Sequence, residues 1–209
     1  FYRAGSYLHA GIARESPQTE ETPLAPVSPY GAAKAYGHFL TSCFRRHHGL
    51  HASSGILYTH DSPRRSPEFL MRKVACAAAA ISLGLESEVR LGSLDARRDW
   101  GFAGDSVRAM RLMLRSDEPD DYVIATGESH SVQELVEVAF AHVGLDPERH
   151  VRVDESLIRG NAELHDVLGD VAAADHPVGE REGGAGVTLV DRLERARVPA
   201  AHQLHEVLV

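Results

Sequence analysis

Apolar and polar positions along this chain fall into short blocks that predict strands and helices in alternation. Phe1 to Ala4 reads as a short strand, and Glu15 to Val27, polar and proline-rich, as a loop. Ala32, Tyr36, Phe39, Cys43 and Phe44 then recur at helical spacing. They form the apolar stripe of a helix from about Tyr30 to His48 that stops at Gly49. Ser54 to Tyr58 follows as a strand, Thr59 to Pro67 as a loop with two prolines and two arginines, and Glu68 to Leu83 as a helix ending at Gly84. Val89 to Leu91 is a short strand, Ala103 to Leu114 a helix and Tyr122 to Ala125 a strand. Ser131-Val132-Gln133-Glu134 is a capping box: a serine hydroxyl and a glutamate three residues on satisfy each other's backbone N–H groups. It opens a helix that ends at Gly144. Strands alternating with helices define an α/β chain. From about Asp175 the pattern changes. Glu180 to Gly186 reads as a loop, and Thr188 to Asp191 caps a last helix with Leu189, Leu193 and Ala196 on one face, cut short by Pro199.

Composition narrows the class. The 209 residues are enough to bury a sizeable core. A formal net charge of −8 argues against a nucleic-acid partner, which calls for a basic face. Cys43 and Cys76 both sit in apolar helical contexts and read as buried thiols in a reducing compartment. The alanine-rich run from Met71 to Leu85 is interrupted by Arg72 and Lys73, so no membrane span is expected. With no signal peptide pattern, a cytoplasmic location is expected. The start at Phe1 reads as that of a fragment or a processed chain. Of 13 histidines, His47, His48 and His51 are the densest group. They lack a carboxylate or cysteine at ligand spacing, so they read as the solvated C-terminus of a helix and no metal site is expected.

Candidate chemistry lies in Ser28-Pro29-Tyr30-Gly31-Ala32-Ala33-Lys34. Ser28 suits a helix N-cap and Pro29 the first helical position. Tyr30 and Lys34 are one turn apart and share a face. An ammonium beside a phenol favours the phenolate, which equips a tyrosine to exchange a proton with a hydroxyl or carbonyl. Ser6 precedes Tyr30 by 24 residues, at the end of the first strand.

Ser6, Tyr30 and Lys34, in that order and spacing, resemble the short-chain dehydrogenase/reductase superfamily. Further blocks are similar to the GDP-mannose 4,6-dehydratase family, in its order, across residues 1 to about 170. They are Phe1-Tyr2-Arg3-Ala4 followed by a small hydroxyl residue, Ser28 to Lys34, His60-Asp61-Ser62-Pro63-Arg64-Arg65, Leu94 to Gly101, and Ile124-Ala125-Thr126-Gly127-Glu128. The resemblance implies the C-terminal part of a Rossmann-like fold with a small α/β substrate-binding domain. Residues 1–60 would be the remainder of the dinucleotide-binding domain, 61–175 mainly the substrate-binding domain, and 176–209 a divergent tail. The chain would then be the C-terminal two-thirds of such an enzyme, starting near its fifth strand. No GxGxxG run is present, and Gly183-Gly184-Ala185-Gly186 lies late, with no strand before it. A sheet edge and an apolar face are therefore expected to be exposed.

The same resemblance implies an NADP-dependent lyase that converts GDP-mannose to GDP-4-keto-6-deoxymannose and water, in GDP-deoxyhexose synthesis. Tyr30 and Lys34 map onto the family's tyrosine and lysine, and Ser6 onto the hydroxyl that bonds the sugar C4 oxygen; read locally, Ser6 equally suits a strand-end bond to backbone. The family's glutamate, the base for the C5 proton, falls at Leu8. His9 is one residue off and on a strand would point to the other face. Tyr30, Lys34, His60 and Arg65 map onto cofactor-binding positions. Thr59, Arg64, Arg72, Lys73, Arg98, Arg159 and Glu163 map onto substrate-binding ones. Arginine pairs suit a diphosphate because guanidinium donors bind its oxygens two at a time. Read without the family, Arg64 and Arg65 are a solvated basic loop, and Arg72 and Lys73 helix-surface charges. Asp99 and Trp100 are expected to hold and pack their loop. A homo-oligomer is implied, formed through the Thr59 to Ser66 loop. Two further readings stay open: a non-catalytic nucleotide-sugar binder, and one half of a split enzyme.

Overall fold

The structure is a computed structural model that describes residues 1–13 and 16–158. Arg159, Glu163 and the expected last helix lie outside the described residues. In chain order the elements begin with β1 (Tyr2–Ala4), a 3-10 helix (Tyr7–His9), α1 (Pro29–His48), β2 (Ser53–Leu57), β3 (Thr59–Asp61) and α2 (Leu70–Ser82). Next come β4 (Val89–Leu91), β5 (Arg97–Arg98), β6 (Trp100–Phe102), α3 (Ala103–Met113) and β7 (Asp121–Ile124). The described chain closes with β8 (His130–Ser131), α4 (Val132–His142), α5 (Pro147–His150), β9 (Val151–Val153) and a second 3-10 helix (Glu155–Leu157).

β1, β2 and β7 form a parallel sheet in that order, with Tyr2 opposite Ser53 and Ser54 opposite Asp121. Parallel neighbours need a crossover between them, and α1 provides it from β1 to β2. Ser28 caps α1 by accepting from the Gly31 N–H at 3.0 Å, Pro29 opens it, and Gly49 closes it at φ 61. The central strand β2 is buried along its whole length, which small residues Ser53, Ser54 and Gly55 permit. A Cβ on Gly55 would come within 2.9 Å of the Tyr2 hydroxyl.

A second unit packs α2 against α4 over the parallel pair β4–β9. Met71, Val74, Leu91, Trp100, Leu135 and Phe140 lie in its core. The expected capping box opens α4: the Ser131 hydroxyl accepts from the Glu134 N–H at 3.0 Å, and Glu134 accepts from the Ser131 N–H at 3.0 Å. Trp100 is buried in this core, as anticipated.

The structure corrects several local readings. The first three residues of the expected Thr59 to Pro67 loop form β3, which pairs in parallel with β6. α2 begins at Leu70, two residues after Glu68. The apolar stripe of α1 faces outward: Tyr36 is 67% exposed and Phe39 58%. The face against the sheet is lined by Gly31, Ala35 and Thr41 instead, because small side chains let a helix lie close to the strands beneath it. Cys43 and Cys76 are therefore exposed, not buried. Cys43 shares the outward stripe, and Cys76 lies off the buried row Met71, Val74, Ala77, Ala78 and Ile81 of α2. Among the described residues no helix is long and apolar enough to cross a membrane.

Candidate active site at the end of β1

The chain leaves β1 through Gly5, whose N–H donates to the Gly55 carbonyl at 2.7 Å, and turns at once into the first 3-10 helix. Ser6 is buried, and its hydroxyl accepts from the Leu8 N–H at 3.3 Å. That is one of the two roles weighed for it from the sequence. Because residues 7–9 are helical, the strand alternation expected for His9 does not apply; His9 turns inward and is 3% exposed.

This turn meets the first turn of α1. A Cβ on Gly31 would stand 2.6 Å from the Leu8 carbonyl oxygen, so only glycine permits the approach. Tyr30 lies beside this contact and is 54% exposed. The Lys34 ammonium donates to the Ala4 carbonyl at 3.0 Å and lies 5.4 Å from the centre of the Tyr30 ring. Tyr30 and Lys34 thus face the same end of the sheet. Arg3 braces the arrangement from below, donating to the Ser54 hydroxyl at 3.1 Å and to the Lys34 carbonyl.

Tyr7 joins this end of the sheet to two other expected positions. Its ring stacks on Tyr58 with centres 4.7 Å apart and planes 17° from parallel. Its hydroxyl lies beside the Thr59 side chain, within electrostatic reach of Arg98, Asp99 and Tyr30. Burial raises the Tyr7 pKa above its ordinary value, so the phenol keeps its proton at neutral pH. Tyr7, a phenol that sequence reasoning passed over, thus joins the turn after β1 to Tyr58 and Thr59. Tyr7 has no local signature, since its partners lie far along the chain.

The remaining expected residues are held in defined ways. His60 Nδ1 is 2.8 Å from the Tyr58 carbonyl. Arg65 Nε lies 2.9 Å from Asp61, and its guanidinium carbon 3.6 Å from the centre of the Phe69 ring. Arg64 is exposed. Arg72 is half-buried, and the Lys73 ammonium donates to the Arg90 carbonyl at 2.7 Å. Arg98 donates to the Arg97 carbonyl at 2.7 Å. Asp99 accepts from the backbone N–H groups of Thr126 and Gly127 at 2.9 Å each, clamping a turn in which Gly127 has φ 80. Burial pushes the Asp99 carboxyl upward in pKa, partly offset by these donors. No group of three or more histidine, cysteine, aspartate or glutamate side chains among the described residues is placed to hold a metal ion.

A parallel sheet crossed by a helix that carries Tyr30 and Lys34 defines an α/β protein of Rossmann-like fold, and comparison with known proteins agrees. RMD from Pseudomonas aeruginosa, solved in complex with NADPH, superposes with a TM-score of 0.71 at 19% identity, over 100% of this chain and 64% of that one. The GDP-mannose 4,6 dehydratase family model matches residues 1–179, and the chain belongs to that family. It is 45% identical over 179 residues to GDP-mannose 4,6 dehydratase 1 of Arabidopsis thaliana, covering 86% of this chain and 49% of that protein. It is 51% identical over 144 residues to the human GDP-mannose 4,6 dehydratase, covering 69% of this chain and 39% of that protein. The chain thus spans about half the length of these two dehydratases or less.

Proposed function

We propose that this chain carries the hydroxyl-activating part of a GDP-mannose 4,6-dehydratase, with GDP-mannose as substrate and NADP as cofactor. The observation that carries the reading is the Tyr30–Lys34 pair, anchored at the end of β1 by the Ala4 carbonyl. Tyr30 exchanges a proton with the sugar C4 hydroxyl. Lys34 keeps a positive charge beside the ring that makes this exchange. Ser6 lies near enough in sequence to orient the C4 oxygen by trading its bond to the Leu8 N–H. An open phenol with an ammonium against its ring fits the nicotinamide and ribose end of the cofactor, with His60 and Arg65 as further holding groups. When bound, the nicotinamide supplies hydride uptake and return at the sugar carbons. Thr59, Arg64, Arg72, Lys73 and Arg98 are assigned to the nucleotide sugar, with Arg159 and Glu163 added from the sequence alone.

Elimination of water also needs a base for the C5 proton. Leu8 stands where the family resemblance puts that base, and a hydrocarbon side chain cannot accept a proton. Loss of a general base costs about a hundredfold to ten-thousandfold in rate. The chain alone is therefore expected to bind GDP-mannose without turning it over. Titration calorimetry of the 209-residue protein with GDP-mannose, followed by product analysis after incubation with NADP, tests this. Absence of binding would overturn the nucleotide-sugar reading, and rapid formation of the 4-keto-6-deoxy sugar would overturn the role given to Leu8.

One half of a split enzyme is the second reading. It is supported by β1, which is hydrogen-bonded to a strand on only one side among the described residues. A homo-oligomer finds support in the outward row Tyr36, Phe39, Leu40 and Phe44 on α1.

A further inference from the structure

We propose that Tyr7 is a hexose-reading residue, its phenol donating a hydrogen bond to the sugar beside Tyr30 and so adding to the affinity for the sugar over the bare nucleotide. The inference rests on the nucleotide-sugar reading above and extends it to a residue that reading does not use. Three observations carry it. First, Tyr7 immediately follows Ser6 and precedes Leu8, whose carbonyl abuts Gly31 beside Tyr30, so its backbone lies at the reacting end of the site. Second, its ring is held flat on Tyr58 at 4.7 Å, which removes the rotational freedom a binding phenol would otherwise lose. Third, its hydroxyl is hydrogen-bonded to the side chain of Thr59, a position assigned above to the nucleotide sugar.

Position decides which part of the ligand is read. Tyr30 acts on a sugar hydroxyl, and the turn that carries Tyr7 packs on the turn of α1 that carries Tyr30, so Tyr7 is assigned to the hexose and not to the guanine or the diphosphate. A neutral phenol cannot take the C5 proton in place of a glutamate, but it donates to and accepts from sugar hydroxyls. The stack on Tyr58 keeps the ring in place whether or not the hydroxyl is present, so orientation and hydrogen bonding are separable by mutation.

Titration calorimetry of the full chain with GDP-mannose and, separately, with GDP tests the proposal. Tyr7→Phe keeps the stack and removes the hydroxyl. It is expected to weaken GDP-mannose binding by about three- to tenfold, the worth of one neutral hydrogen bond. GDP binding should stay unchanged. Tyr7→Ala, which also removes the ring, is expected to lower the ratio of GDP-mannose to GDP affinity at least as far; if it fails to fold, Tyr7→Phe still decides. An unchanged ratio in Tyr7→Phe overturns the proposal, as does equal weakening of both ligands, which would mark Tyr7 as purely structural. If wild-type protein binds GDP but gains nothing from the mannose, Tyr7 reads no sugar. If it binds neither, the underlying nucleotide-sugar reading fails and takes this inference with it.

Discussion

The Lys34 ammonium donates to the Ala4 carbonyl at 3.0 Å, so the helix that carries Tyr30 is tied to the end of β1 by the residue that also charges the site. Lys34 thus has a structural and a chemical duty, and the structural one is read from stability. Lys34→Met removes the tie as well as the charge. It is expected to cost about 1 kcal/mol of stability, the net worth of a part-exposed hydrogen bond, read from urea unfolding. No loss of stability would show that the tie is weak in solution.

Gly31→Ala reverses the usual sign of its substitution. Within a helix, alanine is favoured over glycine by up to about 1 kcal/mol. Here the new Cβ meets the Leu8 carbonyl at 2.6 Å, and backbone has to move. A net loss of about 1–3 kcal/mol is expected, as for overpacking, with a lowered thermal midpoint. A gain in stability would mean that the first 3-10 helix does not dock on α1 as described.

His9 makes stability depend on pH. Burial is the main reason its pKa falls from 6.5 to about 4, and the nearby His38 and Arg3 push it the same way while Asp121 opposes them. Unfolding therefore takes up a proton below pH 6.5. The contribution of neutral His9 is complete above 6.5, declines by at most about 1.4 kcal/mol per pH unit as pH falls, and is gone below about 4. Urea unfolding at intervals from pH 7 to pH 4 should show this slope, and His9→Leu should flatten it. An equal slope in the variant would assign the effect elsewhere.

Arg45 joins α1 to β7. Its guanidinium meets Asp121 at 2.6 Å and donates to the Ala52 carbonyl at 2.8 Å. Arg45→Met leaves the largely buried Asp121 carboxylate without its 2.6 Å partner, with the His38 ring more distant at 3.7 Å. Removing one member of such a pair costs about 3 kcal/mol, measurable by chemical denaturation. A cost well under 1 kcal/mol would show that water replaces the arginine.

Much of the frame was legible along the chain, for identifiable reasons. α1 was readable end to end because Ser28, Pro29 and Gly49 each satisfy or release backbone groups locally. The α4 start was readable because Ser131 and Glu134 are three residues apart and meet without help from the rest of the fold. β3, β5, β6, β8 and β9 have two or three residues each, and each forms by pairing with a distant segment. Tyr30 and Lys34 could be picked out because helical geometry fixes their relation within one turn. Tyr7, Arg3 and His9 could not, since each acquires its role from partners far along the chain.

Sequence by itself determined the alternation of strands and helices, the caps, the charge balance and the tyrosine–lysine pair, all set by neighbours a few bonds or one helical turn away. Tertiary structure alone decided that the apolar stripe of α1 faces outward, that Cys43 and Cys76 are exposed, and that Tyr7 stacks on Tyr58. The physical reason is that periodicity records which side chains share a face, whereas the packing of distant elements determines what, if anything, that face meets.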